Sequence, residues 1–263
     1  MPGAAGRSRL ALVVLCALGA ACATRLPPRP GGTSSPSATA VAQFTAATSH
    51  CAGLRTLTTE LSLSGRAGDE RLRGRVITGL ASGGSARLEG LAPFGAPVFI
   101  LAARQERATL LLPRDRRVLD DTPVADVIER LTGLKLGADD LLRALAACPG
   151  AGEAANGRQW PGGWAAVDTG DGRTVFLRQQ SGGWQLAAVD GGGWRADYRL
   201  VQNRFAREVR LRSDDGRVDL VASLQQLEVN TPIDDAAFEV DIPPGTDAMT
   251  LDELRSVAPL RTP

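Results

Sequence analysis

The sequence predicts a mainly β fold with a few helices, and three observations lead to this class. Apolar and polar residues alternate in short segments such as residues 57–63, as in antiparallel strands with one solvent-exposed face. Turn-forming runs such as residues 168–172 and 213–216 separate the later segments. Two amphipathic segments of helical period interrupt the strands near the middle of the chain.

About ten strands follow from this pattern. In residues 71–76 the arginines fall on one face, whereas Leu72, Gly74 and Val76 fall on the other. Segments 98–102 and 108–112 are more uniformly apolar, which is typical of central strands. The strands are predicted at residues 57–63, 71–76, 86–90, 98–102 and 108–112, and again at residues 174–178, 184–189, 194–201, 206–212 and 218–227.

A first helix is predicted before the strands, over residues 38–52. Its apolar residues Val41, Phe44 and Ala47 recur at helical spacing and share one face.

The two central helices have clear boundaries. Thr122 and Pro123 favour the start of the first, and Gly133 favours its end. The second has Asp139 in its first turn, where the helix dipole favours anions, and it stops before Pro149. A glycine-rich connection through residue 163 is expected to follow.

The N-terminal segment has the three parts of a secretory signal. Arg7 and Arg9 supply positive charge, residues 10–18 are apolar, and residues 19–21 are small. The cysteine that follows, Cys22, resembles the acylated cysteine of a bacterial lipobox, where cleavage occurs just before the thiol. An ordinary cleaved signal with an incidental cysteine is the alternative.

These features divide the chain into three parts. Residues 1–21 form the signal peptide, residues 22–37 a flexible tether, and residues 38–263 a single domain. The tether is rich in Pro, Gly and Ser, which cannot bury a core.

Charge and composition exclude several functions. Without Arg7 and Arg9 the chain has 28 basic and 29 acidic residues, so it lacks the net positive charge of a nucleic-acid-binding protein. His50 is the sole histidine, which argues against a multi-histidine metal site and a Ser/His/Asp triad. The adjacent Asp120 and Asp121 are interpreted as a solvated turn. We therefore predict no enzyme activity, no catalytic residue, no metal and no cofactor.

Cysteine usage suggests one disulfide. Cys16 leaves with the signal and Cys22 takes the lipid, so Cys51 and Cys148 remain as a pair in an oxidising compartment. In the chain-entropy model their bond would contribute about 4–5 kcal/mol. Two unpaired buried thiols are the alternative.

The order of elements resembles the LolA/LolB lipoprotein-carrier family over residues 40–250. A helix, meandering strands, a central helical pair and further strands occur in the same sequence. Residues 230–245 look like the closing segment of the family, in which an aspartate-containing turn leads to a Phe strand, here with Phe238, and then to Pro-Gly. The lipobox favours the membrane-anchored LolB-like branch, and the chain is longer than the LolB pattern.

This resemblance implies a half-open, strongly curved antiparallel sheet, or incomplete barrel, with helices covering its concave face. That face would hold acyl chains by apolar contact, with room left by small residues such as Gly90. The alternative is a face filled by the helices as an ordinary core. The candidate lining residues are Leu61, Leu63, Leu72, Val76, Leu88, Ile100, Leu110, Val127, Ile128, Leu131, Leu142, Leu145, Leu200, Leu211, Leu220 and Leu224.

The resemblance also implies an apolar residue on the loop after the third strand, directed at the membrane. Phe94, between Pro93 and Gly95, occupies that place. A Phe folded back onto the sheet edge is the alternative.

The function implied is that of a monomeric outer-membrane lipoprotein, anchored by a palmitate-type lipid and facing the periplasm. It would accept acylated lipoproteins or lipids, with a periplasmic carrier protein as a candidate partner, and insert them into the membrane. A scaffold or sensor that binds an envelope protein without lipid transfer is the main alternative, and a hydrolase with an unrecognised site is a weaker one.

Overall fold

The computed structural model describes residues 29–92, 96–150, 152–200 and 205–254. The helices are α1 (Thr39–Thr48), α2 (Val124–Thr132) and α3 (Ala138–Leu145), with 3₁₀ turns at Ser49–Gly53 and Asp235–Phe238. The strands are β1 (Ser35–Pro36), β2 (Thr56–Ala67), β3 (Glu70–Ala81), β4 (Ser85–Leu91), β5 (Pro97–Arg104), β6 (Arg107–Leu112), β7 (Arg117–Pro123), β8 (Ala154–Trp160), β9 (Trp164–Thr169), β10 (Thr174–Gln180), β11 (Gly183–Gly191), β12 (Trp194–Leu200), β13 (Ala206–Ser213), β14 (Val218–Val229) and β15 (Asp247–Ala248).

All fifteen described strands form one sheet, in the order β1-β8-β9-β10-β11-β12-β13-β14-β2-β3-β4-β5-β6-β7-β15. Neighbours are antiparallel except β15, which runs parallel to β7. The first and last strands in this order do not pair with each other, so the sheet is open.

Strong curvature follows from the contacts of α3. This helix contacts β3 and β4 on one side and β13 on the other. In a flat sheet β4 and β13 would lie about 19 Å apart, four strand spacings of about 4.8 Å. A helix about 10–12 Å across can touch both only if the sheet curls around it. The mainly β class, and the open curved sheet with helices on its concave face, are therefore confirmed.

One apolar core occupies the concave side. Inward-facing side chains of β2 to β6 and of β9 to β14 join α1, α2 and α3 in a single buried cluster. Helix α1 packs on β8, β9 and β11, at one end of the sheet order. Helix α2 packs on β6 and β7, towards the other end.

The second half of the predicted tether differs from expectation, because it contacts the domain. Ser35 and Pro36 pair with β8 as strand β1. The Arg29 guanidinium forms ion pairs with Asp190 and Asp197. A segment without core residues is thus held through backbone pairing and charge.

The C-terminal segment covers part of the outer face. Phe238 is buried at the end of its 3₁₀ turn, which contacts β4 and β5, so this Phe lies in a turn and not in the expected strand. Arg87 donates hydrogen bonds of 2.9 Å to the carbonyl oxygens of Ala237 and Glu239. The C-terminal segment consequently covers part of the outer side of β4 and β5.

A charged pair on the outer face gives a pH-dependent prediction. Arg210 donates two hydrogen bonds to Asp219, and the first of these, Nε to Oδ1, is 2.7 Å long. These bonds lower the pKa of Asp219 below its ordinary 3.8. Asp219→Asn should therefore cost about 0.5–1 kcal/mol at pH 7, the upper range for an exposed pair.

The sign of this effect follows from linkage. A lowered folded-state pKa contributes stability above the unfolded pKa, and that contribution is lost as the pH falls through the folded value. Urea denaturation of both proteins should show a difference that is full above pH 3.8 and shrinks below it. A difference that grows in acid would contradict this assignment.

Candidate functional site

The concave face is built from inward-facing residues of the central strands. The register places Leu224 of β14 beside Leu61 of β2, and Leu61 beside Val76 of β3. Further along the same strands, Leu211 of β13 lies opposite Leu220 of β14. Because strand side chains alternate between faces, these four leucines and Val76 form a continuous apolar strip.

Helix α2 covers one part of this face. It begins after Pro123 and ends at Gly133, whose φ of +79° is the left-handed conformation that glycine adopts most easily. The Gly133 N–H donates to the Glu129 carbonyl oxygen at 2.8 Å. Val127 and Ile128 on its inner side are buried.

Helix α3 is held at its start by a distant carboxylate. Glu106, in the turn between β5 and β6, accepts hydrogen bonds from the N–H groups of Ala138 at 2.8 Å and Asp139 at 3.1 Å. These bonds satisfy two of the N–H groups that a helix start leaves free. Leu142 and Leu145 are buried on the inner side of the helix.

Much of the concave face is covered by these helices. The following candidate lining residues are buried: Leu61, Leu72, Val76, Leu110, Val127, Ile128, Leu142, Leu145, Leu211, Leu220 and Leu224. Leu63, Leu88 and Leu131 are partly buried and pack against the same cluster.

The space beside Gly90 is occupied by the protein itself. Gly90 of β4 pairs with Phe99 of β5, and a Cβ at position 90 would overlap the Phe99 ring. The small residue therefore makes room for an aromatic side chain of this chain, and not for a guest.

An open cavity of about 740 Å³ lies where the concave face meets α2. Its apolar surface comes from Leu72 of β3, Val218 of β14, Leu131 of α2 and Leu251 of the C-terminal segment. The turn at residues 67–70, between β2 and β3, forms one wall. This volume falls within the range of about 300–1,000 Å³ usual for small-molecule sites.

The rim of the cavity is charged. Its carboxylates belong to Asp69, Glu70, Asp126, Glu129 and Asp215, and its guanidinium groups belong to Arg130 and Arg217.

Most of these rim charges are paired. The Lys135 Nζ lies 3.1 Å from the Asp126 Oδ1, and the hydrogen bond between them raises the pKa of the lysine. The Arg130 Nη2 lies 2.8 Å from the Asp252 Oδ1. Hydrogen bonds from Ser213 and Arg217 lower the pKa of Asp215. The cavity thus combines an apolar floor with an ionised, solvated rim.

The two central cysteines meet at the end of α3. Cys51 and Cys148 are disulfide-bonded with their Cα atoms 5.5 Å apart, joining the 3₁₀ turn after α1 to the segment after α3. The His50 Nε2 atom lies 3.5 Å from the Cys51 sulfur and 3.8 Å from the Cys148 sulfur. These three side chains form the single group of possible metal ligands in the described ranges, and its sulfurs are engaged with each other.

One candidate lining residue was assigned to the wrong face. Ile100 pairs with Glu89, whereas its neighbours Phe99 and Leu101 pair with Gly90 and Leu88 on the concave side. Ile100 therefore points outward. The outer side of β5 is covered by the C-terminal segment, so the strand lacks the polar alternation that would have revealed its register.

Several predictions lie outside the described residues. These are the signal peptide, the lipidated Cys22, the first part of the tether and Phe94. Leu200 lies in β12, but the position of its side chain is likewise outside the description.

Val218 and Leu251, which supply apolar surface to the cavity, were not predicted as lining residues, and neither were the charged residues of its rim. Val218 begins a predicted strand, and its alternation with Leu220 was a usable signal. Leu251 follows a Pro/Gly segment and carries no periodic signal. In the described part of the chain, no helix is long and apolar enough to cross a bilayer.

Comparison with known proteins gives similarity at the level of the backbone. No protein-family model and no curated protein matches the chain. A DUF1329 family protein from Desulfovibrio piger matches at 10% identity and a TM-score of 0.48, covering 78% of this chain and 97% of its own. A LolA superfamily protein from Nitrosomonas europaea matches at 9% identity and a TM-score of 0.48, covering 72% and 91%. The lipoprotein LppX from Mycobacterium tuberculosis matches at 10% identity and a TM-score of 0.34, covering 74% and 97%.

Proposed function

We propose that this chain is a non-enzymatic, lipid-anchored envelope protein that binds acyl chains of lipoproteins or other lipids and assists their insertion into the outer membrane. The observation that carries this proposal is the cavity of about 740 Å³ beneath α2. Its floor residues Leu72 and Val218 belong to the same apolar cluster as the rest of the concave face. An acyl chain entering there would meet a continuous apolar surface.

Helix α2 is the part that moves in this proposal. Helix α3 is capped by Glu106 at its start, and the segment after it is tied to Cys51, so both ends are held. The outer ion pairs of α2, Arg130 with Asp252 and Lys135 with Asp126, each include one largely exposed partner, and pairs open to solvent contribute little stability. Lifting α2 would expose Val127 and Ile128 together with the parts of β6 and β7 on which the helix packs, and acyl contact at about 25 cal/mol per Å² would offset that exposure.

The membrane part of the proposal rests on sequence features. Cys22 would hold the protein at the outer membrane, facing the periplasm, and Phe94 would enter the bilayer surface during delivery. Cargo would be an acylated lipoprotein or a lipid, received from a periplasmic carrier protein, and the protein would act as a monomer.

A charge placed on the cavity wall tests acyl binding. We expect Leu131→Glu to weaken binding of a fluorescent fatty acid at least about tenfold, because one lost Leu contact and one buried charge each exceed about 1.4 kcal/mol. The measurement uses delipidated mature protein with Cys22→Ser, so that the anchor does not interfere.

Ile242→Glu is the matched control, since Ile242 is an exposed apolar residue outside the cavity. Circular dichroism verifies that both variants fold. Equal binding by Leu131→Glu and the unmodified chain, or equal loss in both variants, would refute acyl binding in this cavity.

A scaffold or sensor is the second candidate, and the burial of most lining residues favours it. If the concave face is a permanent core, the protein would recruit an envelope protein through its surface and transfer nothing. Native mass spectrometry after gentle detergent extraction separates the two: copurified acyl species support the carrier, and a lipid-free protein that captures an envelope protein supports the scaffold.

A further inference from the structure

Four arginines lie side by side on the outer face of β2 and β3. Arg71, Arg73 and Arg75 alternate along β3 with inward-facing residues, and all three are exposed. Arg66 of β2 is exposed directly opposite Arg71. We call Arg66, Arg71, Arg73 and Arg75 the arginine face.

Three members of the arginine face have no ion pair within the described part of the chain. Arg75 pairs with Glu60 at 3.0 Å, whereas Arg66, Arg71 and Arg73 pair with no carboxylate there. The carboxylate across from Arg66 belongs to Asp219 of β14.

That carboxylate is already engaged by Arg210. The Nε of Arg210 lies 2.7 Å from Asp219 Oδ1, and a second hydrogen bond joins the same groups. Arg212 on the same outer face pairs with Asp197. The local charge is therefore in excess, although the whole chain has a net charge of only +1.

The arrangement of Arg66 and Arg71 is unfavourable for the isolated protein. Side chains directly opposite on antiparallel strands have Cβ atoms about 4.5–5.5 Å apart, and like charges at that distance repel. Arg66 is attracted to the Asp219 carboxylate across from it, but that carboxylate already accepts two hydrogen bonds from Arg210, so it offsets the repulsion only in part. An anionic partner would relieve it, and a guanidinium group holds a phosphate through two parallel hydrogen bonds.

We propose that the arginine face docks the protein on the anionic phosphate headgroups of a bilayer. The outer face of the sheet presents several guanidinium groups together, which suits a layer of phosphates. Ile77, two residues beyond Arg75 on the same face, is 47% exposed and supplies an apolar contact at the interface. Its cross-strand neighbours Glu60 and Glu89 are each paired with an arginine, so they do not oppose the contact.

Docking in this way would orient the cavity. Arg66 and Arg71 flank the turn at residues 67–70, which forms one wall of the cavity. Asp69 and Glu70 in that turn are acidic, so the contact is made by the face of the sheet and not by the turn. The cavity mouth would then lie beside the headgroup layer. This inference rests on the membrane location in the proposed function, but not on acyl binding.

Vesicle binding tests the arginine face. The mature chain with Cys22→Ser is mixed with vesicles of phosphatidylcholine alone or of phosphatidylcholine and phosphatidylglycerol in equal parts, and sedimentation gives the partition coefficient. We expect binding that requires phosphatidylglycerol and weakens with salt. Replacing Arg66, Arg71 and Arg73 with Gln should lower it on the order of 100-fold, about fivefold for each arginine.

The matched control replaces Arg55, Arg114 and Arg143 with Gln. These arginines are exposed and lie outside the arginine face, and their replacement removes the same total charge. Only a small loss is expected in this control. An equal loss in both triple variants, or no preference for phosphatidylglycerol, would overturn the proposal.

Two further readouts separate the competing explanations. Arginine-dependent capture by immobilised polyglutamate without vesicle binding would assign the face to an acidic protein and overturn the lipid assignment. Fatty-acid binding by the Arg66/Arg71/Arg73 variant should stay unchanged, because these side chains lie on the opposite side of the sheet from the cavity floor. A loss of fatty-acid binding in this variant would contradict the separation of the arginine face from the cavity and would overturn the proposal.

Discussion

Replacing Cys51 and Cys148 together with serine should lower the free energy of unfolding by about 4–5 kcal/mol in the chain-entropy model. The bond spans a sequence separation of 97 residues, so its loss frees a long loop in the unfolded chain. It also releases the segment after α3 from the turn after α1. Guanidinium denaturation of the oxidised protein and of the double variant measures the difference.

A cycle of single variants distinguishes a bond from two independent thiols. If the cysteines are paired, Cys51→Ser alone should cost nearly as much as the double change, and the two single costs should not add. Reduction of the unmodified protein with a dithiol should reproduce the double variant. Small and additive single effects, together with two free thiols on titration, would show that the cysteines are unpaired.

Phe99→Ala should be the most destabilising single apolar truncation in the β4–β5 region, at about 3–5 kcal/mol. The Phe99 ring is buried and lies against Gly90, where nothing else can fill the space. Gly90→Ala should cost about 1–3 kcal/mol because its Cβ would overlap the ring. Thermal and urea denaturation give both values.

The effects of Gly90→Ala and Phe99→Ala on the free energy of unfolding should be coupled. In a Phe99→Ala background the Gly90→Ala change has room for its Cβ, so its cost should fall towards zero. Gly79→Ala on β3 is the control, since its Cβ would make only an ordinary 3.7 Å contact with Ile233. Additive costs for Gly90 and Phe99 would contradict the packing described.

Sequence patterns predicted those elements whose two faces differ. The alternation in β2, β3 and β14 follows their buried and exposed sides. The boundaries of α2 were predictable because Pro123 and Gly133 act locally, the first by its fixed φ and the second by its left-handed cap.

Strands β7, β8 and β9 were missed because tertiary pairing overrides local preference. Asp121 in β7 and Asn156 in β8 have positive φ, and each lies in a strand whose pairing shifts register. Such residues favour turns when judged alone. Strand β9 is buried on both faces over most of its length, so it shows no alternation.

The cavity was harder to predict than the strip beside it. Leu72 and Leu131 were identified because each lies on a periodic apolar face. The contribution of Leu251 depends on β15 pairing with β7, a contact between residues far apart in sequence. Likewise, the cap that Glu106 provides for α3 depends on the placement of a turn more than thirty residues earlier. No local sequence pattern predicts contacts between residues so far apart in the chain.

The two short strands at the ends of the sheet have a consequence for solubility. Exposed strand edges are templates on which further chains can add, and natural proteins blunt them with short strands and prolines. Here β1 is two residues long and contains Pro36, and β15 is also two residues long and runs parallel to its neighbour. In the described part of the chain, neither end strand is long enough by itself to template a long added strand.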